Sequence, residues 1–406
     1  MNKLRFEILN FISSNPGANY SIRQISEELK KGGIGAHYSL VHKELENLEK
    51  EKTIKFLSIG KSRIPRLTMS SGTLLRLRQL ELEKINFLSL EEKETLDKIK
   101  AQYQGRYIES ITLINYKKFR GLNYFELLIT LNDTHDGAMG ENENIKTAMK
   151  RQIEEKKSEL EQRIEQMLKS NQEIEKKIDA KINPLILLEK NEFIPKLFSS
   201  ELNAIREGFL EHLCFSGDEQ FWESIGLGFI RYNEIPATEP MHTLTDEEII
   251  YFLGNFGFKI NTREKIMPSN KNPGIEYLIS EILSGKEPRW FEGIPVIISK
   301  NLENEKRINF RELLFLARRK NKINQLGYLL EITKEILSKS EKNKKKAIEI
   351  GKALKLFEFF KSEKEEPLIE GIKTIGKQDE MAKKWNIRTN YSFEDFRNRM
   401  SEYNAE

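Results

Sequence analysis

Apolar residues return every three or four positions through the first fifty residues, and this spacing predicts three helices. The first runs from Leu4 to Ser14 with Leu4, Ile8, Phe11 and Ile12 on one face. The second runs from Ser21 to Lys31 with Ile22, Ile25 and Leu29, and the third from Ser39 to Lys52 with Leu40, Val41, Leu45 and Leu48 inward. Their ends carry local signals: Asn15-Pro16-Gly17 breaks the chain, Ser21 stands three residues before Gln24 as a capping box requires, and Gly32-Gly33 closes the second helix. The period then drops to two. From Ile54 to Thr68 apolar and polar residues alternate around Gly60-Lys61-Ser62, which predicts a basic β-hairpin.

Three helices followed by a basic hairpin is the layout of a winged helix-turn-helix, in which the N-terminal half of the third helix enters the DNA major groove. His37, Tyr38, Ser39, His42 and Lys43 face outward there. Tyr38, Ser39, His42 and Lys43 are the expected contacts in the groove, with Lys61, Arg63 and Arg66 on the backbone or in the minor groove. Residues 1–70 hold eight Lys and four Arg against seven Glu and no Asp, a net +5, whereas the whole chain is +4. A basic excess confined to one module is the footprint of a phosphate-binding surface. The same layout also serves as a dimerisation or docking module.

Beyond residue 70 the pattern divides. Residues 71–104 form a charged helical connector rich in leucine (Leu74, Leu75, Leu77, Leu80, Leu82). Ile108–Ile114, Phe125–Leu131 and Ile182–Leu188 are apolar runs of buried-strand length. Between the last two, residues 141–181 read as one long charged helix whose seam is Ile145, Met149, Ile153, Leu160, Ile164, Met167, Ile174 and Ile178. This seam is sparse, which suggests a projecting hairpin or a coiled-coil arm able to hold a protein partner. A helical stretch is expected from Glu192 to Cys214. Helices then follow at Asp246–Phe256, Pro273–Ser284, Phe310–Asn321 and Leu326–Ser338, with a charged, partly disordered tail over 361–406 that carries Trp385, Tyr391, Phe393 and Phe396 as a docking patch. The expected fold class is α+β and multidomain: a winged helix over 1–70, the connector over 71–104, a small α/β domain with the long helical insertion over 105–225, a helical region over 226–360 and the tail.

Composition narrows the chemistry. A chain of 406 residues has material for two to four domains. Its single cysteine, Cys214, excludes an internal disulfide and a cysteine-rich zinc site, and the five histidines are scattered, with only His37 and His42 at a weak ligand spacing. No apolar run reaches the ~18 to 20 residues of a membrane span, so a cytoplasmic protein is expected. Gly60-Lys61-Ser62 lacks the upstream glycine of a phosphate-binding loop, and Ser216-Gly217-Asp218 reads as a turn. Arg318, Arg319, Lys320 and Lys322 form a basic rim that reads as a solvated face.

Tyr107-Ile108-Glu109-Ser110-Ile111-Thr112-Leu113-Ile114, leading through Arg120-Gly121 into Asn123-Tyr124-Phe125-Glu126-Leu127-Leu128-Ile129, resembles the minimal nucleotidyltransferases of archaea and bacteria. The segments Lys181–Leu187, Glu192-Phe193, Ile205–Gly208 and Phe215–Trp222 are similar to the second half of that domain. In that family a Gly-Ser turn holds nucleotide phosphates and paired Asp carboxylates hold Mg²⁺ for attack on the α-phosphate. Here the Gly-Ser position reads Asn115-Tyr116, the first Asp position reads Tyr124, and Glu126 alone keeps a carboxylate. Asp133 and Asp136 follow in the next loop. The resemblance therefore implies a degenerate domain with no catalytic residue beyond residual Glu126, no metal and no cofactor, Mg²⁺ entering only if the domain is active after all.

Together these readings describe a sequence-specific DNA-binding transcriptional regulator with double-stranded DNA as partner, either monomeric or a homodimer. The alternatives are an active Mg²⁺-dependent nucleotidyltransferase, or an antitoxin-like partner-binding protein. For the latter, Leu326-Gly327-Tyr328-Leu329-Leu330-Glu331 faintly resembles a stretch in antitoxins of abortive-infection systems.

Overall fold

The N-terminal helices form as α1 (Lys3–Ser14), α2 (Ile22–Lys31) and α3 (Tyr38–Lys50). The computed structural model describes residues 2–15, 19–35, 37–103, 108–116, 124–132, 162–170, 173–188, 192–199, 201–231, 244–260, 267–269, 271–285, 287–302, 308–372, 379–403 and 405. Among the expectations above, Arg120, Gly121, Asn123, Asp133, Asp136, Ile145, Met149, Ile153 and Leu160 lie outside these residues. Asn2 caps α1, and the Ser21–Gln24 capping box closes in both directions at α2. Phe6, Ile8, Leu9 and Ile12 meet Ile22, Ile25, Leu29, Val41, Leu45 and Leu48 in one core. Leu40, expected inward, is 49% exposed. One position earlier than Val41 on a helix, it is rotated by about 100° off the buried stripe.

Strands β1 (Ile54–Ile59) and β2 (Ser62–Leu67) pair antiparallel with Ile59 opposite Ser62. Gly60, at φ 59°, takes the first central position of the two-residue turn, where a side chain is strained. The connector is two helices, α4 (Ser71–Asn86) and α5 (Leu90–Gln102), divided where Ser89 starts a capping box with Glu92.

A four-stranded sheet follows: β3 (Ile108–Leu113), β4 (Tyr124–Leu131), β5 (Lys181–Leu188) and β6 (Leu213–Ser216), in the order β5-β4-β3-β6. β4 and β5 run parallel, and β3 is antiparallel to both its neighbours. Parallel neighbours are buried on both faces, which explains the unbroken apolar runs. They also need a crossover. In that connection residues 162–170 and 173–178 are helical, and Ile164, Leu168 and Ile174 are buried, so this portion is packed rather than projecting. The stretch expected to be helical before Cys214 contains instead two short helices, Ile194–Leu197 and Ala204–Phe209, and then β6. A four-residue strand has too little periodicity to stand out; pairing with β3 makes it a strand. Gly217 turns the chain from β6 into the helix Asp218–Arg231 at φ 70°, where an added Cβ would lie 1.9 Å from the Glu109 carbonyl oxygen.

The chain forms two compact units: Met1–Ser200 with Ile205–Met241, and Glu201–Ala204 with His242–Glu406. The second unit is helical. Its central helix, Ile323–Ser338, is buried along most of its length among Pro288–Asn301, Phe310–Arg319, Lys344–Phe359 and Glu380–Lys384. The 361–406 segment joins this core over its described residues: Trp385 and Phe396 are fully buried, on or beside the helices Glu380–Lys384 and Phe393–Glu402. The basic rim is consumed internally: Arg318 stacks over Phe360 at 4.2 Å, Lys320 meets Glu281, and Lys322 meets Glu370. Among the described residues, no helix is long and apolar enough to cross a membrane.

Candidate nucleic-acid interface

Val41, Leu45 and Leu48 turn one stripe of α3 into the core, which leaves the opposite stripe of its first turns outward. No side chain caps the start of α3 at His37, so its leading N–H groups are not taken up by a cap. Tyr38 is half exposed and its ring meets that of His42 with centroids 5.8 Å apart; Ser39 and Lys43 are exposed. His42 Nδ1 also lies 3.6 Å from a Glu46 carboxylate oxygen. From Tyr38 to Lys43 α3 has no acid, whereas Glu44, Glu46 and Glu49 follow within the next six positions. The helix therefore offers an anion its N-terminal turns only.

The three hairpin cations have separate fates. Lys61 sits exposed in the turn, and neither it nor Lys43 makes an ion pair among the described residues. Arg63 is held back against α3: its guanidinium reaches Glu49 at 3.3 Å and Glu46 at 4.0 Å and lies over the Phe56 ring at 4.0 Å. Arg66 is 9% exposed and donates to the Asn19 side chain. Structure thus brings Tyr38, Ser39, His42 and Lys43 together on one helix end with Lys61 on the hairpin, while Arg63 and Arg66 serve the module's own packing.

Glu126, the residual carboxylate of the expected degenerate site, is buried at the start of β4. The Tyr124 hydroxyl donates to its Oε1 at 3.3 Å and accepts from Asn183 Nδ2 at 3.0 Å. Asn115 spans the same strand end, donating to the Tyr124 carbonyl and accepting from the Glu126 amide, each at 3.1 Å. Tyr116 points away toward α4, where its hydroxyl donates to the Lys84 carbonyl at 3.2 Å. No three His, Cys, Asp or Glu side chains gather as a metal requires among the described residues.

A second charged group escaped the sequence reading. Glu81 and Lys84 of α4 and His212 beside β6 are each at most 2% exposed. Lys84 Nζ donates to Glu81 Oε1 at 2.9 Å and to the His212 carbonyl at 3.1 Å, and Glu81 Oε2 accepts the Cys214 amide at 2.8 Å. His212 donates from Nδ1 to the Phe209 carbonyl at 2.6 Å and stacks on the Phe209 ring. Its Nε2 lies 3.3 Å from Glu81 Oε1, but out of line for a hydrogen bond. Burial pushes the His212 pKa down, which keeps the ring neutral at pH 7. Burial alone would raise Glu81, yet the Lys84 ammonium outweighs it and holds the carboxyl below its ordinary range. Burial raises the Cys214 thiol far from reactivity. The spacing of Glu81 and Lys84, three apart on a charged helix, is that of an ordinary solvated pair, so only a buried face could have marked them.

Comparison with known proteins finds no matching family model, no matching curated protein and no matching solved structure.

Proposed function

We propose that this protein binds double-stranded DNA through α3 and the β1–β2 hairpin, as a cytoplasmic winged-helix transcriptional regulator whose sheet region is a nucleotidyltransferase-like scaffold without the reaction. The observation that carries this is the acid-free, outward N-terminal end of α3, with Lys43 on it and Lys61 in the hairpin turn, both unpaired among the described residues. Cations without carboxylate partners are available to phosphates, and an aromatic and a hydroxyl beside them can meet base edges. For the scaffold, the support is Tyr124, whose hydroxyl already occupies Glu126 at the strand end.

The test is binding of the full chain to a pool of random-sequence duplexes, followed by selection and a salt titration. Lys43→Ala and Lys61→Ala each lower affinity and flatten the salt dependence by roughly one unit of slope. Absence of duplex binding at ~50 mM salt, where non-specific contacts are strong, overturns the reading. Docking of a protein partner is the second reading, favoured by Leu40 and Tyr38, both about half exposed on the same helix end. In that case Leu40→Ser abolishes partner capture and Lys43→Ala does not.

A further inference from the structure

Among the described residues the outer face of α4 is uncovered although it carries two leucines. Thr73, Leu77, Leu80, Glu81 and Lys84 face inward, while Leu75 and Leu82, one heptad apart, are 66% and 58% exposed. At about 100° per residue, Leu75, Gln79, Leu82 and Asn86 fall in a stripe about 60° wide. Half-buried side chains border it. Leu74, Arg78 and Ile85 lie along one flank, and Arg76 and Glu83 along the other. Single exposed leucines are ordinary; two in the a-type register of a helix pair, bordered by a leucine and an isoleucine, form a seam.

We propose that α4 is a self-association surface on which a second copy of this chain packs antiparallel, about a two-fold axis beside Gln79. Antiparallel packing sets like flank on like flank. Leu75 then faces the partner's Leu82, Leu74 faces the partner's Ile85, and Arg76 faces the partner's Glu83, each contact made twice by symmetry. The charge pattern selects this direction: in a parallel pair Arg76 would approach the partner's Arg78 and Glu83 would approach the partner's Ile85. Arg78, close to the axis, is already neutralised within its own chain by Asp218 at 2.8 Å and Glu219 at 3.2 Å. Arg76 holds Glu51 in its own chain and keeps further guanidinium donors for a second carboxylate. Gln79, which donates to Glu83 at 3.2 Å, meets its own copy at the axis. The proposal is independent of DNA binding.

One helix pair lies at the small end of specific interfaces, so the dissociation constant belongs in the micromolar range, about 1 to 10 µM. Sedimentation velocity on the full chain from about 1 to about 100 µM should show 47.6 kDa monomers passing to dimers over that range. Leu75→Glu, at an exposed position that folding does not need, should weaken the dimer about 100-fold with an unchanged circular-dichroism melt. Arg76→Glu and Glu83→Arg should each weaken it about tenfold, and the double reversal should restore it to within about threefold. Gln79→Cys should cross-link to itself under mild oxidation, whereas Leu75→Cys should do so only when mixed with Leu82→Cys. A monomer at every concentration overturns the proposal, as does a dimer indifferent to Leu75→Glu or a double reversal that fails to restore association.

Discussion

Two groups of charges in the first unit draw on the same residue types and work in opposite ways. At the end of α3 and in the hairpin turn, Lys43 and Lys61 stand in water, with no carboxylate to answer them among the described residues. Between α4 and β6, Lys84 is 2% exposed and its ammonium donates to Glu81 and to a backbone carbonyl. In water a charge costs little to hold and remains free to bind; away from water it must be paired, and once paired it fixes structure. The difference is one of dielectric surroundings rather than of sequence chemistry. Lys84 ties the helix that follows the hairpin to the sheet, and Lys43 is free to leave its surroundings for a phosphate.

The comparison breaks most visibly at Glu81. Glu81→Ala strands Lys84 without a countercharge and should cost the first unit about 3 to 5 kcal/mol in urea unfolding, while Glu81→Leu with Lys84→Met should recover most of it. A loss below about 1 kcal/mol would mean that water reaches the cluster. Next in size is the response to acid. His212 and Glu81 both have depressed pKa values, so the folded state binds fewer protons than the unfolded chain and stability is complete only at higher pH. Unfolding free energy should fall as pH drops below about 6.5 through His212, and again below about 4.5 through Glu81. His212→Phe should remove the upper step, and a profile flat between pH 7 and 5 in the parent protein would contradict it.

Exposed charges should behave the other way round. Lys43→Ala and Lys61→Ala should leave stability within about 0.5 kcal/mol, since surface substitutions seldom exceed that. Each should nonetheless weaken duplex binding about five- to tenfold near physiological salt, as read by fluorescence anisotropy. The smallest effect belongs to Arg63, whose pairs with Glu46 and Glu49 are half in water. Arg63→Ala should cost roughly 0.2 to 1 kcal/mol in thermal unfolding. A larger loss would move Arg63 into the class of Lys84.

Much of the local architecture was legible in the residues. The Ser21–Gln24 capping box, the Gly60 turn and the apolar runs of β3, β4 and β5 are set by contacts within a few positions or by a burial pattern that shows as periodicity. The surface placement of Tyr38, Ser39, Lys43 and Lys61 was readable for the same reason: a helix face and a hairpin turn are local objects. Arg66 was not, because alternation along β2 says which side a residue faces but not that Asn19, 47 positions earlier, waits there for it.

By itself the sequence determined where the three N-terminal helices and the hairpin lie, most of their apolar faces, and that the basic excess lies within the first seventy residues. Tertiary structure alone decided that Leu213–Ser216 is a strand, that Trp385 and Phe396 of the charged C-terminal stretch are core, and that Glu81, Lys84 and His212 share a dry site. The physical reason is the range of the interactions: caps, turns and periodicity are settled by neighbours in the chain, whereas strand pairing and desolvation depend on residues that only folding brings alongside.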